Sequence, residues 1–239
     1  MLASKGIIFR VVKYGETSII CDIYTEADGL KSFIINGVRK KKSRYPASLF
    51  QPMYLVDLVA YENPKRSLNR IKEISSDYVY QSIPFEITKS SIGIFAIEVI
   101  RKSIKEEEEN IPLFEFIRSF FLSLDRAQDN YFNYHLWMMV HLCHHLGFIP
   151  DGICDDRTPY LDIENGKFVS GRTGFIQMDQ QSSSDFFALM HLDLKDTHQL
   201  KMNHQGRNKL IEDLVRYYQF HIEGLQAINA HHVLAKVFS

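Results

Sequence analysis

The chain of 239 residues is 45% hydrophobic and 24% charged, with a formal net charge of -1 at pH 7, which is typical of a globular protein. This composition excludes wholesale disorder, and because no run of about 18 apolar residues occurs, it predicts no membrane-spanning helix. Lys5, Arg10 and Lys13 interrupt the opening residues, which therefore lack the apolar stretch of a secretory signal.

Alternating apolar and polar residues predict about five short strands in the first 75 residues. The predicted strands cover residues 6–14, 17–25, 30–37, 50–62 and 67–74. Gly15 and Gly29 lie in the short segments between the first three strands, as hairpin turns require. Five short strands suit a small closed barrel, because closure leaves no sheet edge exposed.

From about residue 85 the apolar residues recur every three or four positions, which predicts helices. The predicted helices cover about residues 85–104, 111–126, 131–147, 183–193, 207–223 and 227–237, and Pro84 stands where the first would begin. Gly, Asp and Pro interrupt them at residues 151–175, which predicts an irregular lobe with one small hairpin turning at ENGK. We therefore expect an α+β protein with a β-barrel domain at 1–80 and a helical domain at 81–239, the lobe spanning about 150–180.

A dense cluster of positive charge follows the third predicted strand. The stretch NGVRKKKSR holds five basic residues in six positions: Arg39, Lys40, Lys41, Lys42 and Arg44. Residues 1–80 contain 13 Lys or Arg and 8 Asp or Glu, whereas the remainder contains 15 and 21. Cations on one loop add their potentials, and each phosphate they neutralise releases counterions, so a polyanion is the predicted ligand. A solubilising loop and a nuclear localisation signal remain open.

Other residues of the same domain extend this predicted binding track. Its further cations are Arg10, Lys13, Lys65, Arg66 and Arg70. Single-strand binders stack bases on exposed aromatic rings, and several rings are interleaved with these charges. Phe9 and Phe33 follow apolar strand patterns and are predicted to be core residues. Tyr14 and Tyr45 border a turn or the basic stretch, so we predict that they are the rings that stack on bases.

Metal chemistry is the main alternative for the second half of the chain. His141 and His145 share one helical face, a geometry that can hold a metal ion, and Cys154 and Asp155 are conceivable further ligands. However, Leu142 stands where a metalloprotease has its general base. The sequence also offers ligands for only one half of a closed zinc site. No nucleotide-binding loop or nucleophile elbow occurs. The sequence therefore predicts no catalytic residue, metal or cofactor, with a metal-dependent hydrolase as the alternative.

Cysteine usage bears on the cellular compartment. The three cysteines, at positions 21, 143 and 154, are too few and too scattered for a disulfide framework. Structural disulfides are typical of oxidising compartments and rare in the cytosol. We therefore expect a cytoplasmic location.

Several motifs resemble the RecO family of bacterial recombination and repair proteins. KGIIFRVVKYGETSIICDIYTEADGLKSFIINGVRKKKSR has that family's order of strand, YGE, strand, acidic turn with Gly, strand and GxRKxKS. LFQPMYLVDLVAYENPKRSLNRIKE continues the match, and LGFIP and RNKLIEDLVRYYQFHIEGL resemble later segments of the family. The similarity covers most of the chain and is strongest over residues 5–75.

The resemblance implies an OB-fold barrel joined to a helical domain, and a protein that is not an enzyme. It also implies binding of single- and double-stranded DNA and annealing of complementary strands, including strands coated by single-stranded DNA-binding protein (SSB). With the protein RecR, the family helps to load RecA. The family's DNA-contacting loop falls on Arg39 to Arg44. The SSB tail would enter a groove of the helical half, with a cationic rim drawn from Arg101, Lys102, Arg118 and Arg126.

One departure from the family concerns zinc. Many members carry two Cys-x-x-Cys pairs after the LGF-P segment, but here Arg157 stands where the partner of Cys154 belongs, and no cysteine follows. Because a site of four thiolates cannot form, we expect the lobe to fold without metal. A small apolar core is expected instead, formed by Tyr160, Leu161, Ile163 and Phe168. An OB-fold RNA-binding module of translation remains a second alternative, which a barrel alone does not exclude.

Overall fold

The computed structural model describes residues 1–61, 68–105, 107–171 and 176–238. The chain forms two compact units, one made of residues 1–85 and 104–125, the other of residues 86–103 and 126–239. Each unit therefore combines two separate segments of the chain. The expected domain boundary near residue 80 stays a prediction.

Five strands of the first unit form a closed barrel. They are β1 (Leu2–Tyr14), β2 (Ser18–Thr25), β3 (Gly29–Ile35), β4 (Leu55–Tyr61) and β5 (Leu68–Ser76). Around the barrel the order is β1-β2-β3-β5-β4, with β3 and β5 parallel and all other neighbours antiparallel. An OB fold is a five-stranded barrel of this Greek-key kind. The predicted fold class, an α+β protein with an N-terminal OB barrel, is confirmed.

Alternation of buried and exposed residues explains how the strands close. Along β2, the buried residues Ile19, Cys21 and Ile23 point inward, where they meet apolar side chains of the other strands. Phe33 is fully buried in the same core, and Phe9 is 2% exposed, so both are core residues as predicted. The Phe9 ring stacks on Tyr24, with ring centroids 5.3 Å apart.

The fourth strand begins at Leu55, so its predicted start at residue 50 was wrong. A 3-10 helix covers Ala47–Leu49, and Met53 adopts a φ of 70°. The Met53 N–H donates to Ile8 O at 2.7 Å, and the Ile8 N–H donates to Tyr54 O at 2.9 Å. Pro52 has no N–H with which to hydrogen-bond to a neighbouring strand. Met53 and Tyr54 bond to Ile8 of β1, and the regular pairing of β4 begins only at Leu55.

Six α-helices lie in the described residues. They are α1 (Ile87–Ser103), α2 (Ile111–Arg126), α3 (Tyr134–His145), α4 (Gln180–His191), α5 (His204–His221) and α6 (His231–Val237). The predicted starts of α4 and α5 were three residues late. Asp179 accepts the Ser182 N–H and Asn203 accepts the Gly206 N–H, both at 2.8 Å. These N-caps stabilise an additional first turn.

Helix α2 packs with the barrel in the first unit. Its Phe114 ring lies 6.2 Å from Tyr24, and its Arg118 Nη2 lies 2.9 Å from Asp77 Oδ2. The other carboxylate oxygen of Asp77 lies 2.5 Å from Lys5 Nζ on β1. Burial alone would raise the pKa of Asp77, but hydrogen bonds from Lys5 and Arg118 lower it below its ordinary value. One carboxylate therefore joins β1 to α2 just after β5.

A second buried carboxylate holds the segment that follows Asp77. Asp125, at the end of α2, accepts the backbone N–H groups of Gln81, Ser82 and Ile83 at 2.8–3.1 Å. The Tyr78 hydroxyl donates to it at 3.1 Å. These donors outweigh the effect of burial and lower the pKa of Asp125. The irregular segment is thus fixed by side-chain contacts.

The second unit contains the other five helices and the lobe. In the lobe, β6 (Tyr160–Asp162) and β7 (Lys167–Val169) form a hairpin that turns at ENGK as predicted. The expected apolar residues Leu161 and Ile163 are fully buried and Phe168 is 7% exposed, whereas Tyr160 is only half-buried. Over the described ranges, no helix has both the length and the apolar character needed to cross a membrane.

Candidate nucleic-acid interface

The predicted basic stretch forms a loop, here called the cationic loop (residues 36–45), between β3 and the 3-10 helix. Gly37 adopts a φ of +74°, which favours glycine, and the Lys40 N–H donates to Gly37 O at 3.2 Å. The Arg39 N–H donates to Thr17 O at 3.0 Å. The loop therefore starts with a tight turn that is attached to the β1–β2 hairpin.

The five cations of the loop point into solvent. Arg39, Lys40, Lys41, Lys42 and Arg44 are all exposed. Within the described ranges, none of the five has an acidic group within ion-pair distance. Their positive potential is therefore available to an external anion.

The hairpin between β1 and β2 brings the aromatic ring of Tyr14 to the end of the barrel at which the cationic loop starts. Lys13 is exposed and Tyr14 is 52% exposed, and the turn follows at Gly15, where φ is +57°. Arg39 Nη1 donates to Gly15 O at 3.3 Å. Arg39, which is distant in sequence from Lys13 and Tyr14, is therefore brought to the same end of the barrel as they are. A ring beside cations suits a single strand, because bases can stack while phosphates are neutralised.

The remaining predicted cations differ in their surroundings. Arg10 is exposed but lies 3.9 Å from Asp22, which also accepts the Ser32 hydroxyl, so part of its charge is compensated. Arg70 on β5 is exposed and pairs in register with Ile34, next to the end of β3 from which the loop departs. Lys65 and Arg66 lie outside the described residues.

Tyr45 is an anchor of the loop in this structure. Its hydroxyl donates to Lys72 O at 3.1 Å, and its ring meets Phe50 edge-on at 6.4 Å. The Arg44 guanidinium covers the ring at 5.1 Å from the centroid. The sequence did not reveal these contacts, because they depend on where β5 lies. Stacking of a base on Tyr45 stays a prediction.

A groove beside Tyr45 is lined by both acidic and basic side chains. Its volume is about 480 Å³, and Arg44, Tyr45, Asp57 and Glu73 are among the residues that line it. Asp57 lies 3.6 Å from Lys5 and Glu73 lies 4.0 Å from Lys72, so the charge of both carboxylates is partly compensated. With two carboxylates and one guanidinium in its lining, the groove suits a polyanion less well than the exposed cations of the loop do.

The geometry of the second unit does not assemble the alternative metal site. His141 Nε2 lies 3.0 Å from Leu189 O, and the carbonyl fixes this nitrogen as the donor, so it has no lone pair for a metal. Burial lowers the pKa of His141 and of His145. Asp155 Oδ1 accepts the N–H groups of Arg157 and Thr158 at 2.8 and 2.9 Å. Over the described part of the chain, no three His, Cys, Asp or Glu residues form a metal-binding cluster.

Cys154 belongs to no such cluster among the described residues. Burial, and secondarily the Asp155 carboxylate, raise the pKa of its thiol. The hydrolase hypothesis therefore has no geometric support in that part of the chain.

The cations expected to form a rim for the SSB tail lie in different settings. Lys102 Nζ lies 2.5 Å from Glu98 and also donates to Ala227 O, and Arg118 is bound to Asp77 in the first unit. Arg101 is half-buried and Arg126 is exposed. Lys102 and Arg118 are thus engaged in internal contacts. The location of a peptide groove stays a prediction.

The chain is similar to known proteins along almost its full length. Residues 1–78 match the family model described as recombination protein O N terminal, and residues 84–155 match recombination protein O C terminal. The DNA repair protein RecO of Bacteroides fragilis is 33% identical over 237 residues, which is 98% of this chain and 97% of that protein. RecO of Phocaeicola vulgatus is 30% identical over 98% of both chains. RecO of Flavobacterium psychrophilum is 30% identical over 100% of this chain and 99% of that protein.

An OB barrel followed by helices, together with these matches, defines a protein of DNA recombination and repair. More specifically, the chain belongs to the RecO family. The family resemblance in the strand and loop motifs is confirmed.

Proposed function

We propose that the protein binds single- and double-stranded DNA through the cationic loop and anneals complementary strands, including strands coated by SSB. The observation that supports this most directly is the set of five exposed loop cations, which have no acidic partner among the described residues. Tyr14 and Lys13, at the adjoining hairpin, add a stacking ring and a further charge. Membership of the RecO family supports the same proposal.

The proposed mechanism is electrostatic and non-covalent. Two complementary strands repel each other through their phosphates, and a cationic surface shared between them lowers this repulsion and raises their encounter rate. Backbone contacts and stacking do not distinguish bases, so binding tolerates any sequence. No covalent bond is made or broken, and no catalytic residue is required.

The proposed partners and location follow from the family. We propose that RecR acts with this protein in loading RecA, and that the C-terminal tail of SSB binds its helical unit. We also propose a cytoplasmic location. Titration of the SSB tail peptide against the full chain tests the direct contact, and absence of binding removes the SSB claim.

The decisive experiment reverses the charge of Lys40, Lys41 and Lys42 together. Lys→Glu at the three positions is expected to abolish fluorescence-detected annealing of bare and SSB-coated oligonucleotides, because attraction to phosphate becomes repulsion. Circular dichroism should be unchanged, since all three side chains are exposed. Annealing at the normal rate in this variant contradicts the proposal.

A matched control changes the net charge by the same amount elsewhere. Arg157→Glu, Lys167→Glu and Lys195→Glu replace three exposed cations of the second unit. This triple variant is expected to anneal at close to the normal rate. An equal loss in both variants would mean that net charge alone matters, which contradicts a specific role for the loop.

The RNA-binding alternative is tested by competition. DNA and RNA oligonucleotides of the same sequence are added against a labelled DNA strand. Preference for DNA, or equal affinity accompanied by DNA annealing, agrees with the proposal, whereas strong preference for RNA without DNA annealing favours a module of translation.

A further inference from the structure

Phe238, just after α6, lies on a group of residues of the second unit, here called the aromatic seat (Phe132, His135 and Arg207). The Phe238 ring is 5.8 Å from the Phe132 ring and 5.5 Å from the His135 ring. The Arg207 guanidinium lies 5.7 Å from its centroid. An aromatic ring and a guanidinium together form the kind of platform on which flat rings stack.

The aromatic seat contains buried polar atoms, and Phe238 leaves them without hydrogen-bond partners. His135 is fully buried, and neither ring nitrogen has a hydrogen-bond partner among the described residues. Arg207 Nε is likewise buried and unpaired in that set. Burial, with a smaller effect of Arg207, lowers the pKa of His135 to about 3, so the neutral ring has one donor and one acceptor nitrogen. Buried polar atoms are almost always paired, so several at one place are unusual.

Asn133 adds a further unsatisfied acceptor beside the seat. It is 5% exposed, and its Nδ2 donates to Thr197 O and to Leu200 O, both at 2.9 Å. Because two carbonyls require the NH₂ group, the orientation of the amide is fixed. Its Oδ1 has no partner among the described residues. The neighbourhood of Phe238 therefore offers unpaired donors and unpaired acceptors.

An open cavity of about 430 Å³ adjoins the seat. Phe132, Asn133 and Arg207 line it together with the exposed cation Lys201 and with His198. Its lining residues include no carboxylate. Arg207 and Lys201 have no acidic partner within the described ranges. The cavity thus places positive charge next to a stacking platform.

The segment that carries Phe238 is attached at its beginning and along α6, where Leu234 is fully buried and His204 Nε2 lies 2.9 Å from Ala235 O. Glu98 Oε2 accepts the N–H groups of Asn229 and Ala230 at 3.1 and 2.6 Å, and Lys102 donates to Ala227 O. Phe238 itself follows the last turn of this seven-residue helix. Its ring is therefore held mainly by contacts with a seat whose polar atoms it leaves without partners.

We propose that the aromatic seat and its cavity form a second binding site for single-stranded nucleic acid, taking one nucleotide, and that Phe238 occupies the place of the base. The ligand class rests on the proposed DNA-binding function. The base stacks on Phe132 and Arg207, and the phosphate lies at Lys201 and Arg207. The edge of a base carries donors and acceptors that pair with His135 and Asn133, whereas the edge of a phenyl ring carries none. This difference favours a nucleotide over the aromatic side chain of a peptide.

The test uses deoxyadenosine 5′-monophosphate, a probe too small to report on strand annealing. In the full-length chain, Phe238→Ala is expected to lower its Kd by about fivefold or more, because the competing ring is removed. Val233→Ala is the matched control, since it trims an exposed apolar side chain of the same helix. Equal Kd values for the two variants overturn the proposal.

A second substitution identifies the site. Adding Lys201→Gln to Phe238→Ala is expected to abolish the gain, whereas adding Lys195→Gln, at a cation that is 78% exposed, preserves it. Both outcomes are expected to be independent of the cationic loop. The same Kd measurements are therefore repeated in a chain in which Lys40, Lys41 and Lys42 are changed to Glu. Loss of the gain in that background, or binding of a Phe-ending peptide but not of the nucleotide, contradicts the site.

Discussion

Tyr14 is the ring best placed to contact a single strand. Its side chain is 52% exposed at the hairpin tip, next to Lys13 and to the turn that Arg39 holds. Tyr45 is constrained by its hydrogen bond to Lys72 O and by the Arg44 guanidinium over its ring. The two residues are therefore expected to contribute differently, Tyr14 by direct stacking and Tyr45 by fixing the loop.

Tyr14→Ala is expected to weaken single-strand binding about 5- to 100-fold, because stacking of one base on an aromatic ring is worth about 1–3 kcal/mol. Fluorescence anisotropy with a labelled oligonucleotide measures the change. Phe85→Ala, at an aromatic residue of the first unit that is 82% exposed, is the control and should leave affinity unaltered. Equal losses in the two variants would deny Tyr14 a specific role.

Asp125 is expected to dominate the stability of the segment that follows the barrel. Asp125→Ala removes a buried carboxylate and leaves the N–H groups of Gln81, Ser82 and Ile83 without their acceptor, which should cost about 2–4 kcal/mol of unfolding free energy. Urea unfolding measures the loss. Glu115→Gln, on the exposed face of the same helix, is the control and should cost less than about 0.5 kcal/mol.

The same residue predicts a pH dependence. The folded-state pKa of Asp125 lies below its ordinary value of 3.8, so its contribution is fully present above about pH 4. It is lost as the pH falls through the folded-state pKa. The stability of Asp125→Ala should therefore fall less steeply than that of the unmodified protein in this acidic range, and parallel curves would contradict the assignment.

At the scale of elements, closure of the barrel depends on a glycine in β1. A Cβ on Gly6 would lie 2.6 Å from Ile23 Cγ2 on β2 and 3.1 Å from Leu58 Cδ2 on β4. Gly6→Ala is therefore expected to destabilise the protein by about 1–3 kcal/mol through overpacking. Thermal unfolding measures the change, and Lys13→Ala at an exposed position of the same strand is the comparison. If Gly6→Ala left the thermal unfolding unchanged, the strands around Gly6 could move apart at little cost in free energy.

Local sequence patterns predicted most elements of the fold because their causes are local. Alternation in Ile19, Cys21 and Ile23 marked β2, and Gly15 marked the hairpin turn. The pattern missed the start of β4, where the apolar residues around Pro52 resemble a strand although their hydrogen bonds go to β1. It also did not indicate that α2 packs with the barrel, because that depends on Tyr24 and Asp77, which are distant in sequence.

The candidate site was predictable to a smaller extent. A run of cations is visible in sequence, so the cationic loop was found without a structure. The attachment of Arg39 to Thr17 and the groove beside Tyr45 could not be predicted without the register of the strands. The aromatic seat was missed altogether, because Phe132, Arg207 and Phe238 come from three distant segments and form no motif.

At the scale of the whole molecule, positive charge is concentrated in the first third of the chain. Single-strand affinity should therefore fall with salt, with a log–log slope of roughly -0.7 for each phosphate contacted. Lys40→Gln, Lys41→Gln and Lys42→Gln together are expected to make this slope shallower by roughly 2. Anisotropy titrations across a salt series give the slopes. An unchanged slope would place the phosphate contacts elsewhere.

The pairing of β3 with β5 has a consequence for synthesis of the protein on the ribosome. The barrel closes only when β5, which ends at Ser76, meets both β3 and β4. A nascent chain that has emerged only as far as the basic run already contains the β1–β2 hairpin, but it lacks the Lys72 carbonyl that accepts the Tyr45 hydroxyl. The far end of the cationic loop is therefore anchored only after β5 has been synthesised.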